Sequence, residues 1–239
     1  MLPILKKEFN SFFASPIAYL VIGVFLLANG LFLWVFKDGF NILNAGFADL
    51  NTFFQITPWF FLFLIPAITM KSFAEEFNTG TIEILKTRPI GLWNIVLGKF
   101  LASLLLVFIA ILPTVAYVYT IYQLATPLGN IDTGSIIGSY IGVFLLGAVF
   151  TAIGLFTSTL ARNQIVAFIL GVIVIFCAFY GLDALGNLVD SSGLSIKKIG
   201  INEHFKSISR GVIDTRDLIY FISATYFFLF ITKTQLSNE

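Results

Sequence analysis

The residues able to do chemistry in this sequence are few and unevenly placed. Its 239 residues include 14 Lys and Arg, 13 Asp and Glu, one His and one Cys. The densest group of charges is the segment 71–99, KSFAEEFNTGTIEILKTRPIGLWNIVLGK. This segment is too long for a plain connection between two packed helices, which takes about 2–8 residues. Gly80 ends whatever helix reaches Phe77 and Asn78. The Thr81 hydroxyl oxygen can then accept from a free backbone N–H at the start of a new helix. Glu83 suits the positive first turn of that helix, and Lys86 and Arg88 suit its negative end. Pro89 stops it. A helix this short has no stability by itself, so it must dock on something, and a partner protein below the membrane is the candidate.

Other chemistries lack their residues. His204 stands beside Glu203 without the second histidine of an H-E-x-x-H zinc site, so a packing role at the surface or in a loop is expected for it. Cys177 cannot form an internal disulfide or a thiolate cage, being the only cysteine. No catalytic residue, metal ligand or cofactor site is assigned. The Gly98–Lys99 pair lacks the earlier glycine and the following Ser or Thr of a phosphate loop. Any work driven by ATP must therefore draw on a second polypeptide. A net charge of +1 offers no field for nucleic acid.

The elements that must position the 71–99 segment are apolar. Hydrophobic residues make up 58% of the chain and charged residues 11%, against about a quarter charged in ordinary soluble domains. A membrane helix needs about 20 mainly apolar residues. Charge-free windows at about 17–36, 52–70, 100–122, 135–157, 165–182 and 218–232 predict six spans in one domain covering 1–239, with a cytoplasmic loop at 71–99 and an outer loop at 183–216. None of the six carries an ionisable Asp, Glu, Lys, Arg or His in its interior, where an ion-coupled carrier would place one. Pro58 and Pro66 are expected to bend the second span. Gly138, Gly142 and Gly147 in the fourth read as close-packing positions. The first span is too long for a cleaved signal and no A-x-A site follows it.

Six spans put both termini on one side. Placing that side in the cytoplasm gives it eight of the 14 basic residues, with the bias strongest around the first spans, where the rule carries most weight. Ahead of the first span, Leu2, Leu5, Phe9, Phe12, Phe13 and Pro16 recur at helical spacing opposite Lys6, Lys7, Asn10 and Ser11, a pattern suited to a helix lying in the headgroup layer. In the outer loop, Phe205, Ile208 and Val212 predict a short helix stopping at Gly211, with Asp214 capping the last span. Arg210, Arg216, Asp214 and Asp217 are expected to pair with one another.

The order Phe73, Glu76, Gly80, Thr81, Glu83, Leu85, Pro89, Gly98, Lys99 resembles the permease subunits of ABC-2 type ATP-binding cassette transporters, and the likeness in topology extends over essentially the whole chain. It implies an all-α membrane protein of six transmembrane helices, with an N-terminal interfacial amphipathic helix and a re-entrant outer loop before the last span. It also implies that the first cytoplasmic loop holds a coupling helix seated in a groove of a cytoplasmic ABC ATPase subunit, with Glu75, Glu76, Gly80, Thr81, Glu83, Leu85, Lys86, Arg88 and Pro89 as the coupling residues. A second permease copy or a related permease would face this one in the lipid bilayer of the bacterial inner membrane, and the outer loop leaves room for an extracytoplasmic partner. The outer stretch H-F-x-S-I-x-R-G-V-I-D-x-R-D, from His204 to Asp217, is similar to permeases of the gliding-motility-associated and copper-processing branches, and the whole chain most resembles the gliding-motility ABC transporter permease of Bacteroidetes. The expected function is to couple ATP hydrolysis by a separate subunit to export or to envelope work such as gliding motility. The alternative is a non-transporting membrane anchor or a channel component of an envelope machine.

Overall fold

Lipid tails are as apolar as leucine, so helices in a bilayer gain little from hiding apolar surface and are held by close packing and hydrogen bonds instead. That constraint shapes the computed structural model, which describes all residues except 38, 45, 84–89, 189–196, 212, 213 and 239. The described residues are helices and their connections, with no strand among them. In chain order the helices are α1 (Leu2–Ala14), α2 (Ile17–Gly30, prolonged by a wider π turn at Leu31–Val35), α3 (Asn51–Thr69), α4 (Lys71–Thr79), α5 (Leu92–Ile111), α6 (Val115–Leu124), α7 (Thr133–Thr159), α8 (Gln164–Phe176), α9 (Leu182–Leu188), α10 (Ile201–Ser209) and α11 (Thr215–Asn238).

Among the described residues, five stretches are long and apolar enough to cross a membrane: Ile17–Val35, Asn51–Thr79, Leu92–Leu124, Thr133–Thr159 and Gln164–Gly186. The sixth expected span lies within α11. That helix has 24 residues, about 36 Å at 1.5 Å per residue. Arg216 and Asp217 at one end and Lys233 toward the other leave 15 charge-free residues between them, short of the roughly 20 that a span uses.

The centre of the bundle is α7, which packs against α3, α4, α5, α8, α10 and α11. Its glycines explain how one helix meets so many neighbours. A Cβ on Gly138 would lie 2.6 Å from the Ile208 carbonyl oxygen, one on Gly147 3.1 Å from Val107, and one on Gly154 would collide with the Thr69 hydroxyl. Gly142 faces the Phe205 and Ile208 side chains. The stripe thus seats α10, α5 and α3 at successive levels. Large aromatics fill the space that remains: Phe25, Phe53, Phe61, Phe150 and Phe221 are buried in one continuous core.

Local signals account for the helix ends. Asp132 accepts from Ser135 N at the start of α7, and Asn163 accepts from Ile165 N at the start of α8. Gly211, in the left-handed region at φ 86°, ends the turn after α10. Asp214 accepts from the Arg216 backbone N–H and so opens α11. Inside α3, Thr57 and Thr69 donate to the carbonyls of Phe53 and Ile65 around Pro58 and Pro66, and the helix runs unbroken from Asn51 to Thr69.

Two boundaries differ from the sequence reading, and both bear on the 71–99 segment. The rod of α3 continues through Met70 into α4 and ends only at Thr79. Likewise α5 begins at Leu92, so Lys99 lies two turns inside a helix and not at its mouth. The apolar residues Leu92, Ile95 and Val96 extend that helix ahead of the charge, and Gly91 at its start is extended.

Candidate functional site

The charged end of the bundle is built by α1, α4 and α5. In α4 one face is buried, with Ser72, Phe73 and Ala74 turned inward, while Glu75, Asn78 and Thr79 are exposed. The helix stops where the sequence predicts: Gly80 takes φ 70°, left-handed, which costs glycine nothing and other residues strain. The Thr79 hydroxyl donates to the Glu75 carbonyl at 2.8 Å and lies 2.9 Å from the Thr81 hydroxyl. Residues 81–83 are helical, with Ile82 buried and Thr81 and Glu83 exposed. Ile82 joins a cluster containing Ile4, Phe73, Ile95 and Val96. This anchor fixes the new helix at its start and leaves Glu83 facing outward. Leu85, Lys86, Arg88 and Pro89 lie outside the described residues.

Beneath this surface Lys99 is 2% exposed. An ammonium has three N–H donors and no acceptor, and all three find oxygen: Glu76 Oε1 at 2.8 Å, the Ser72 carbonyl at 2.6 Å and Glu8 Oε1 at 3.1 Å. The Phe73 ring lies under the charge, its centroid 5.0 Å from Nζ. Lys7 adds a looser cation from the rim, 3.7 Å from Glu8 and 3.9 Å from Glu76. Glu76 Oε2 is buried without a hydrogen-bond partner. A cavity of about 450 Å³ opens beside the cluster, bordered by Lys7, Glu8, Ser11, Lys71, Glu75 and Glu76 among others.

Of the residues expected to contact a partner, Glu75, Thr81 and Glu83 are exposed, while Glu76 faces inward onto Lys99. The sequence reading did not assign Glu8, although its signal is visible. Ile4, Glu8 and Phe12 follow one another at four-residue spacing, Ile4 and Phe12 are buried, and the charge between them needs a partner. Gly98 has a structural reason too: a Cβ there would stand 2.9 Å from Ile4 Cγ2, so only glycine lets α1 lie this close to α5. On α1 itself Lys6, Lys7, Asn10 and Ser11 are exposed, as the helical pattern predicts.

At the opposite end, α10 is fastened by polar contacts to three neighbours. Ser135 and Ser139 of α7 donate to the Ser209 carbonyl at 2.9 and 3.3 Å. His204 Nδ1 lies 2.6 Å from Asp217 Oδ1 and its ring stacks on Tyr220, which donates to the Ile199 carbonyl. Asn202 donates to Asp183, and Lys206 lies 3.7 Å from the same carboxylate. His204 therefore has a packing role, as expected. The expected pairing among Arg210, Arg216, Asp214 and Asp217 is not what forms. Asp217 takes His204 because the first turn of α11 faces α10, and Asp214 is used as a helix cap.

The bundle carries charge at its ends and an apolar, glycine-packed middle. The sequence matches the family model described as ABC-2 family transporter protein over residues 2–210, which takes in α1 through α10 with the whole charged segment. No curated protein matches the chain. The match covers well over half of the sequence, and with five apolar stretches of membrane-crossing length this multi-pass membrane protein belongs to the ABC-2 family of transporter proteins.

Proposed function

We propose that this membrane permease component couples ATP hydrolysis by a separate ABC ATPase subunit to export or to envelope-associated work, with residues 71–99 as the lever. Membership of the family implies the ATPase partner; the assignment of the lever is our reading. The observation that carries it is the split within one segment. Glu76 is fixed inward on Lys99, while Glu75, Thr81 and Glu83 stand exposed on either side of a left-handed glycine. A short helix held at Ile82 and open at Glu83 offers a rigid, acidic point of contact. In this reading Leu85, Lys86, Arg88 and Pro89 are further coupling residues toward the ATPase.

In the same reading α11 is the sixth span, with Asp217 at its outer end buried against His204 and with Trp93 stacked on Tyr226 farther along. In this reading both termini lie on the cytoplasmic side of a bacterial inner membrane, and α9 and α10 form the re-entrant outer structure. A second permease, a copy or a relative, completes the path. The resemblance of the whole chain to gliding-motility permeases supports gliding motility as the work performed. Reversal of Glu83 to Lys tests the lever. ATP hydrolysis by the assembled complex should lose its dependence on the permease while membrane insertion stays intact. Unchanged coupling in that variant would sink the assignment.

A further inference from the structure

A lysine at the edge of a membrane helix normally extends its charge to water. Lys99 does the opposite, and its three partners come from two other helices: Glu8 from α1, Ser72 and Glu76 from α4. Among the described residues, every polar link from α1 to the rest of the protein runs through this cluster, by Glu8 to Lys99 or by Lys7 to Glu76. The remaining attachment of α1 is apolar, and it includes Ile4 packed against Gly98, the residue next to Lys99. Ile4 and Ile82 also share one buried cluster with Phe73. The interfacial helix and the lever are thus tied at the same place by charge and by packing.

We infer that Lys99 is a positioning residue that fastens α1 to the lever, so that motion taken up at residues 71–83 is passed to α1 at the membrane surface. The inference rests on the reading of 71–99 as the lever. Separating α1 from α4 would take a carboxylate from the Lys99 ammonium, which is 2% exposed, and an uncompensated buried charge is costly. Moving α1, α4 and the start of α5 together breaks none of these bonds. The ABC-2 permease would then move a helix on the lipid surface in step with ATP, in addition to any rearrangement within the bundle.

Spin labels test this in the reconstituted complex with its ATPase. With Cys177 replaced by alanine, pairs of labels are placed at Lys6→Cys on α1, Asn78→Cys on α4 and Ile137→Cys near the far end of α7, all exposed positions. Distances are compared between nucleotide-free and vanadate-trapped states. The expected result is that the 78–137 and 6–137 distances both shift while 6–78 stays constant. In Glu8→Lys, which sets a second cation against Lys99, the 78–137 shift persists and the 6–137 shift is lost. A 6–78 distance that changes with nucleotide in the wild-type complex, or a 6–137 shift that survives Glu8→Lys, overturns the inference and leaves the lever standing. A 78–137 distance that never shifts removes the lever itself, and the inference with it. The persistent 78–137 shift in Glu8→Lys also shows that the variant folds.

Discussion

Replacement of Lys99 by methionine keeps the length of the side chain and removes its charge. It leaves Glu8 and Glu76, whose oxygens both lie within 3.1 Å of the ammonium, facing each other across a site whose central cation was 2% exposed. Breaking a buried ion pair from one side costs about 3–5 kcal/mol. Here the two carboxylates retain 15% and 13% side-chain exposure beside an open cavity, so water and Lys7 relieve part of the repulsion and the lower end, about 3 kcal/mol, applies. Neutralising the carboxylates as well, in the triple variant with Glu8→Gln and Glu76→Gln, should return stability to within about 1 kcal/mol of wild type, since a fully neutral replacement strands no charge. The assay is the midpoint of unfolding in mild detergent for the wild type, the single and the triple variant. The single variant should melt several degrees lower and the triple should recover most of the loss. A Lys99→Met protein as stable as wild type would show that the ammonium is not held as the structure shows.

Three further outcomes follow from the packing and the polar contacts. Gly138→Ala places a methyl 2.6 Å from the Ile208 carbonyl and 3.1 Å from Gly211 Cα, both backbone, and should cost about 1–3 kcal/mol by overpacking; Gly23→Ala, with nothing within 4 Å, should be nearly neutral in the same melting assay. Asp217→Ala removes the partner of His204 at the outer end and should cost about 1–3 kcal/mol for the polar group left behind, read again as a lower midpoint. Tyr220→Phe loses one hydrogen bond to the Ile199 carbonyl and should cost about 1 kcal/mol; a loss of about 2 kcal/mol or more, beyond one neutral hydrogen bond, would mean the contacts are apportioned wrongly.

The parts of this protein that were legible in its sequence are those set by local physics. Gly80 and Gly211 end helices because each must turn through the left-handed region. Asp214 opens α11 with its own side chain, and the glycines of α7 mark close approaches. The expected spans appear as helices because apolar length is itself the signal, except that α11 has the length without the composition. What sequence could not place was the destination of Lys99. Its partners are 23 and 91 residues away, and no periodicity links them until α1 has been laid on α5. The inward turn of Glu76 is hidden for the same reason. On a nine-residue helix the inward face is decided by where Phe73 and Ala74 find a core, and that core is supplied by α5. The pairing of Asp217 with His204 likewise depends on how α10 lies across α7.

In the proposed function, the segment after Gly80 is where an ATPase meets this permease. This contact is tested most directly by a photo-activated cross-linking side chain installed in place of Glu83, with Phe227, exposed on α11, as the control position, in membranes of the native cell. Position 83 should capture a polypeptide bearing a G-x-x-x-x-G-K-[ST] phosphate loop, and position 227 should not. Capture at 83 of only lipid or of this same chain would contradict it.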